Sequence, residues 1–165
     1  MARRPLVSAR DLATPYASVT TDESANAAIR LLTEHSLPAL LVVDGHGMPY
    51  AVVPVSELVR QLVPEPALDD PLRAAVLRDE PSERLAASLE EQTVGDWLPR
   101  RGFGPRCVGP DATAAQIAAV MARRRIPLVP VVEQVDDKEA RMLGVVSATA
   151  VMRYLITPSD SADRR

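Results

Sequence analysis

The sequence predicts a mixed α/β (α+β) fold, two β-α-β-β-α repeats packed about a pseudo-twofold axis. Three observations predict it. The stretch EHSLPALLVV, Glu34 to Val43, has a counterpart in RRRIPLVPVV, Arg123 to Val132. Shifted by one constant interval, Asp22 falls on Asp111, Ala25 on Ala114, Pro38 on Pro127, and Val42-Val43 on Val131-Val132. Helical and strand-like apolar spacings then follow each other in the same order in both halves. One copy alone would expose much of its sheet and helix faces, whereas two copies can bury them against each other.

Each repeat opens with a short lead-in, SARDLA (Ser8 to Ala13) and TVGDWL (Thr93 to Leu98). Entry strands are predicted at Ala17-Ser18-Val19 and Arg106-Cys107-Val108. Asp22 and Asp111 each precede an Ala-rich segment and are expected to accept from the free N–H groups of a first helical turn. Ala25, Ala28, Ile29 and Leu32, matched by Ala114, Ile117, Ala118 and Met121, have helical spacing. Leu37-Pro38 and Ile126-Pro127 end these helices, because the residue before proline is pushed out of the α region. LLVV (Leu40 to Val43) and VPVV (Val129 to Val132) read as short buried strands. Asp44-Gly45-His46-Gly47 is a hairpin turn, and Glu133 to Arg141 is a longer charged loop at the matching place. Return strands follow at Tyr50 to Val53 and Met142 to Val146. A closing helix completes each unit, with Val55, Leu58, Val59 and Leu62 spaced i, i+3, i+4, i+7, as are Ala148, Val151, Met152 and Leu155. The boundaries read as 8–63 for the first repeat and 93–156 for the second. The proline-rich, charged stretch 64–92 is a partly helical linker, with a helix over Ser82 to Glu91 started at Pro81. The tails 1–7 and 157–165 are expected to be disordered.

Composition narrows the function classes. Apolar residues make up 47% and charged residues 25%, as in an ordinary globular protein with a core. A net charge of −3 supplies no field for nucleic acid or an anionic membrane, and 3% aromatics supply no base-stacking platform. No run approaches the ~20 apolar residues of a bilayer span, and no secretory signal opens the chain. With Cys107 as the single cysteine, an internal disulfide and a Cys-based zinc site are both excluded, and the protein reads as cytoplasmic. Cys107, in an expected strand, reads as a small buried apolar residue rather than a nucleophile. His35 suits a helix C-terminus, His46 an exposed turn, and the two are too separated for a metal site. The glycines of RRGFGPR (Arg100 to Arg106) do not follow a strand and open a helix, so they are no dinucleotide fingerprint. Trp97 reads as packing between lead-in and core, and Asp136-Asp137-Lys138-Glu139 as a solvated hairpin tip. No nucleophile is paired with a base, so no enzyme is expected.

The doubled lead-in with Asp11-Leu12 and Asp96-Trp97, the helix ends SLPALLVV and RIPLVPVV, and the strand-to-helix passages AVVPVSEL and GVVSATAV resemble the cystathionine-β-synthase (CBS) domain. In tandem they resemble the regulatory unit called a Bateman module. The resemblance covers residues 8–63 and 93–156. It implies a stand-alone, non-catalytic regulatory module that binds an adenosine-containing ligand (AMP, ADP, ATP or S-adenosylmethionine) between the repeats. It further implies a homodimer and a regulated partner protein that the sequence does not identify. No other cofactor and no metal follow from it. The alternative is a ligand-free pair that dimerises and docks a partner through exposed helices.

The implied ligand-binding residues are Leu37, Pro38, Pro54 and Glu57 in the first repeat, and Arg124, Arg125, Ile126, Pro127 and Ser147 in the second. The family usually ends its third strand with Ser or Thr and places Asp three residues later. A carboxylate can accept from both ribose hydroxyls, while the hydroxyl and nearby helix N–H groups hold phosphate. Here the first repeat has Pro54 and Glu57 at those places, and the second has Ser147 and Ala150. Arg123, Arg124 and Arg125 end a helix where they can complement its dipole or touch phosphate.

Overall fold

A computed structural model describes residues 6–63, 65–75, 81–99, 104 and 106–157. The expected tails lie outside the described residues except for Leu6, Val7 and Thr157, and RRGFGPR lies largely outside them. The chain divides into two compact units, residues 17–105 and residues 1–16 joined with 106–165.

The unit formed by 17–105 contains β1 (Ser18–Thr20), α2 (Ala25–Glu34), β2 (Ala39–Val43), β3 (Pro49–Pro54) and α3 (Val55–Leu62). Strand β1 runs parallel to β2, and β2 pairs antiparallel with β3, giving a three-stranded sheet with β2 in the middle. The DGHG turn forms as expected. Asp44 Oδ1 accepts from the N–H groups of His46 (2.8 Å) and Met48 (3.0 Å), and Gly47 has φ 77°. These bonds hold the Asp44 carboxyl below its ordinary pKa, the Met48 bond contributing most. The core gathers Val19, Ala25, Ala28, Leu32, Leu40, Val42, Val53, Leu58, Leu89, Val94 and Trp97. Each Leu or Val so buried contributes about 1.5–3 kcal/mol relative to exposure. The linker stretch carries α4 (Glu65–Leu68), α5 (Pro71–Ala74) and α6 (Pro81–Glu91), so the helix expected from Pro81 is present.

The other unit contains α8 (Ala114–Arg124), β4 (Leu128–Gln134), β5 (Ala140–Ser147) and α9 (Ala148–Ile156). Here β4 and β5 form an antiparallel ribbon, flanked by single bridges from Val108 to Val131 and from Thr14 to Val145. The expected entry strand at Arg106-Cys107-Val108 therefore shrinks to one bridge, cut short by Gly109-Pro110. Cys107 is exposed rather than buried, and partial desolvation raises its thiol pKa. Pro130 sits within β4 without breaking a β4–β5 rung. Its opposite residue, Val145, turns its N–H and C=O to Thr14 instead (both bonds 2.9 Å).

Two further expectations are corrected. The helix caps are Ser24 and Thr113, not Asp22 and Asp111. Ser24 Oγ accepts from Ala27 N–H at 3.1 Å, and Thr113 Oγ1 accepts from Gln116 N–H at 3.2 Å. The Gln116 side chain returns the bond to Thr113 N–H at 2.9 Å, a capping box. On the closing helices, Leu58 and Val151 are buried, but Val59, Met152 and Leu155 are exposed.

The lead-ins are exchanged. Helix α1 (Ala9–Leu12) docks in the unit of the second repeat, and α7 (Val94–Trp97) docks in the unit of the first. Ser8 bridges to Thr113 and Thr93 to Ser24, so each lead-in meets the cap of the other repeat's first helix. The donor pattern repeats residue for residue. Ala9 and Arg10 donate to the carbonyls of Ala112 and Pro110 (2.8 and 2.9 Å), and Val94 and Gly95 to those of Glu23 and Thr21 (2.7 and 2.8 Å).

Candidate functional site

In the 17–105 unit, α2 ends in a tight turn through Ser36, whose φ of 50° is left-handed. The Leu37 N–H then returns to the Leu32 carbonyl at 3.0 Å, a six-to-one closure of the helix end. Pro38 follows, and its carbonyl accepts from Val55 N–H at 3.1 Å. Ala39 pairs with Pro54 in the β2–β3 register. The helix-end turn is thereby fastened to the strand-to-helix passage, bringing Leu37, Pro38, Pro54 and Glu57 into one region. Pro54 is buried, Leu37 and Glu57 are half-buried, and Pro38 is exposed. Pro54 offers α3 no side-chain cap, while Glu57 places a carboxylate in its first turn.

The other unit builds the same joint from different residues. Arg125 takes the left-handed position with φ 53° and ψ 42°. Ile126 N–H returns to the Met121 carbonyl at 3.2 Å, and the Pro127 carbonyl accepts from Ala148 N–H at 2.8 Å. Leu128 pairs with Ser147. Ser147 caps α9, its Oγ accepting from Ala150 N–H at 3.1 Å, which leaves its own O–H to donate. Ile126 is buried, Pro127 and Ser147 are half-buried, and Arg123, Arg124 and Arg125 are exposed. Among the described residues none of the three arginines makes an ion pair.

Each group of expected site residues is thus gathered within its own unit, and the two groups differ in charge. The first offers a carboxylate and no hydroxyl. The second offers a hydroxyl and cations, with Ala150 where an acid would stand.

Sequence reading missed other structured chemistry. Ser8 and Thr93 cap the lead-in helices, and the carboxylates of Asp11 and Asp96 accept from their hydroxyls at 2.8 Å each. Bonds to the Ser8 backbone and hydroxyl, and to the Thr93 hydroxyl and backbone, hold both acids below their ordinary pKa. The signal was available as S-x-x-D and T-x-x-D. Glu133 is gripped by Arg10 and by Arg141, the latter through Nε at 3.0 Å and a second guanidinium N–H at 2.8 Å. Hydrogen bonding from Arg10, then from Arg141, lowers the Glu133 pKa. A pocket of ≈ 200 Å³ lies among Gln61, Leu62, Ser88, Leu89, Gln92, Asp96 and Trp97, none of them an expected ligand residue. The Trp97 indole N–H is buried with no hydrogen-bond partner among the described residues. Among the described residues no group of three or more His, Cys, Asp or Glu is placed to hold a metal, and no helix is long and apolar enough to cross a membrane.

Comparison with known proteins agrees with this architecture. The CBS domain family model matches residues 9–64 and 94–157. A CBS domain-containing protein of unknown function from Kribbella flavida is 34% identical, over 91% of this chain and 99% of that one, with a TM-score of 0.73. Two more distant structures share the fold. CBSX2 in complex with AMP is 20% identical over 90% of this chain and 96% of that one, with a TM-score of 0.60. The CBS domain of a bacterial CNNM/CorC family Mg2+ transporter in complex with ATP is 15% identical over 89% and 85%, with a TM-score of 0.59. No curated protein matches the chain. With two matched segments that account for most of its length, and the same helix-end joint built in each, the chain belongs to the CBS-domain family.

Proposed function

We propose that the chain is a non-catalytic regulatory module that binds an adenosine-containing ligand (AMP, ADP, ATP or S-adenosylmethionine) and modulates a protein partner. Cytoplasmic residence and a homodimeric state are part of the same reading. The observation that carries it is the repeated joint, Pro38 carbonyl to Val55 N–H and Pro127 carbonyl to Ala148 N–H. It sets Glu57 in the first turn of α3 and Ser147 at the cap of α9, each beside a helix-end turn, where a ribose or a phosphate can be held. The AMP and ATP bound by the two distant CBS structures support an adenine nucleotide as the ligand class.

The residues divide the work unequally. Glu57 can accept from ribose hydroxyls, whereas Ser147 O–H and the exposed arginines favour phosphate. Each hydrogen bond to a charged group is worth about 1.5–3 kcal/mol. A joint lacking either half of the clamp therefore binds a whole nucleotide about ten- to a hundredfold more weakly.

Thermal melting with AMP, ADP, ATP and S-adenosylmethionine tests this. A ligand at about 100 times its Kd stabilises by about 2.7 kcal/mol, a shift of several degrees. Glu57→Ala should remove most of the shift, and Arg124→Ala should reduce the ATP shift more than that of S-adenosylmethionine. If no adenine compound moves the midpoint at millimolar concentration, the reading fails.

One observation favours the ligand-free interaction module as a second reading. Met152, Leu155 and Ile156 expose 62%, 55% and 77% of their surface along α9, an apolar strip suited to a protein partner.

A further inference from the structure

The two lead-ins make the same hydrogen bonds but are not anchored alike. Helix α7 buries Val94 and Trp97, which are 0% and 6% exposed and belong to the core cluster. Helix α1 buries Ala9 alone, with Leu12 half-buried. A tryptophan buries about 150–250 Å² of its own, so α7 is held by far more apolar surface than α1. What holds α1 is largely main chain. Ala9 and Arg10 N–H bond to the 110–112 loop, and Thr14 exchanges two bonds with Val145. Arg10 also pairs with Glu133, which Arg141 holds as well, while the Arg10 side chain stays half exposed. Gly144 lets the two backbones touch, since a Cβ there would come within 2.6 Å of the Thr14 carbonyl oxygen. Just beyond Thr14 comes Pro15, and the boundary between compact units falls between Tyr16 and Ala17. On its C-terminal side the lead-in therefore runs directly into that boundary.

We propose that residues 6–16 form a detachable strap, and that the β5 edge beneath it takes the same segment from a second copy of this chain. Backbone recognition along a strand edge is how extended segments add to sheets, and exchange of an identical element is a low-cost route to a dimer. The occupant is defined by the strap itself. It has a small residue where Ala9 is buried, a donor N–H facing the Pro110 carbonyl, and an extended residue to pair with Val145.

Native-state hydrogen exchange on the full chain tests the strap. The amides of Ala9, Arg10, Thr14 and Val145 are expected to exchange at least about tenfold faster than those of Val94 and Gly95, since weakly anchored segments open first. In an Ala9→Lys chain, Val145 should lose protection while β4 and α8 keep theirs. A synthetic peptide of residues 6–16 should restore Val145 protection in that chain as it is titrated. Equal rates for the two lead-ins in the unaltered chain would overturn the proposal. So would loss of protection across β4 and α8 in the Ala9→Lys chain, or a peptide that restores nothing.

Discussion

Ser36 and Arg125 hold left-handed backbone without being glycine. That conformation costs an ordinary L residue about 1–2 kcal/mol, while glycine adopts it freely and gives back about 0.5–1 kcal/mol in entropy. Arg125→Gly should therefore raise stability by up to about 1 kcal/mol, and Arg125→Val, β-branched, should lower it by about 1–2 kcal/mol. Urea denaturation would show the order, and a reversed order would contradict this account of the turn. If Arg125→Gly also lowers affinity for ATP while raising stability, the arginine is retained for its charge. The sequence showed the proline after each turn but not the left-handed residue before it, because neither Ser36 nor Arg125 advertises that conformation. Leu37, Pro38, Ile126 and Pro127 were legible as helix ends, and the pairing of these ends with Pro54 and Ser147 follows from strand register.

Helices and strands were legible where apolar period and proline agree. All four main strands contain the apolar runs, but β4 and β5 extend through Glu133-Gln134 and Ala140-Arg141, which the sequence assigned to the loop; α2, α3, α6, α8 and α9 are helices as expected. The caps were misread because the aspartates looked like better acceptors than the hydroxyls two residues on. Ser24→Ala and Thr113→Ala should each cost about 1 kcal/mol, while Asp22→Ala and Asp111→Ala should stay within about 0.5 kcal/mol. Equal effects at the four positions, again by urea denaturation, would return the capping role to the aspartates. The closing helices show a different limit. Spacing identifies an apolar face but not how much of it the chain itself covers, and Val59, Met152 and Leu155 are left outside.

At the scale of the whole molecule, the repeat was visible in the sequence and the exchange of lead-ins was not. Pattern within ten or twenty residues carries no mark of Ser8 meeting Thr113 or of Thr93 meeting Ser24, since these contacts depend on distant backbone groups. The exchange also reassigns Gly144, which sequence reading passed over, to backbone contact with Thr14. The ligand stands one step further away. Two joints of the same geometry carry different chemistry, a carboxylate in one and a hydroxyl with arginines in the other. Calorimetric titration of the full chain with AMP, ADP, ATP and S-adenosylmethionine tests that claim most directly. A saturable heat with at least one of them, weakened by Glu57→Ala, is expected; no saturable heat from any of the four up to about millimolar concentration, near 4 kcal/mol of binding free energy, would contradict it.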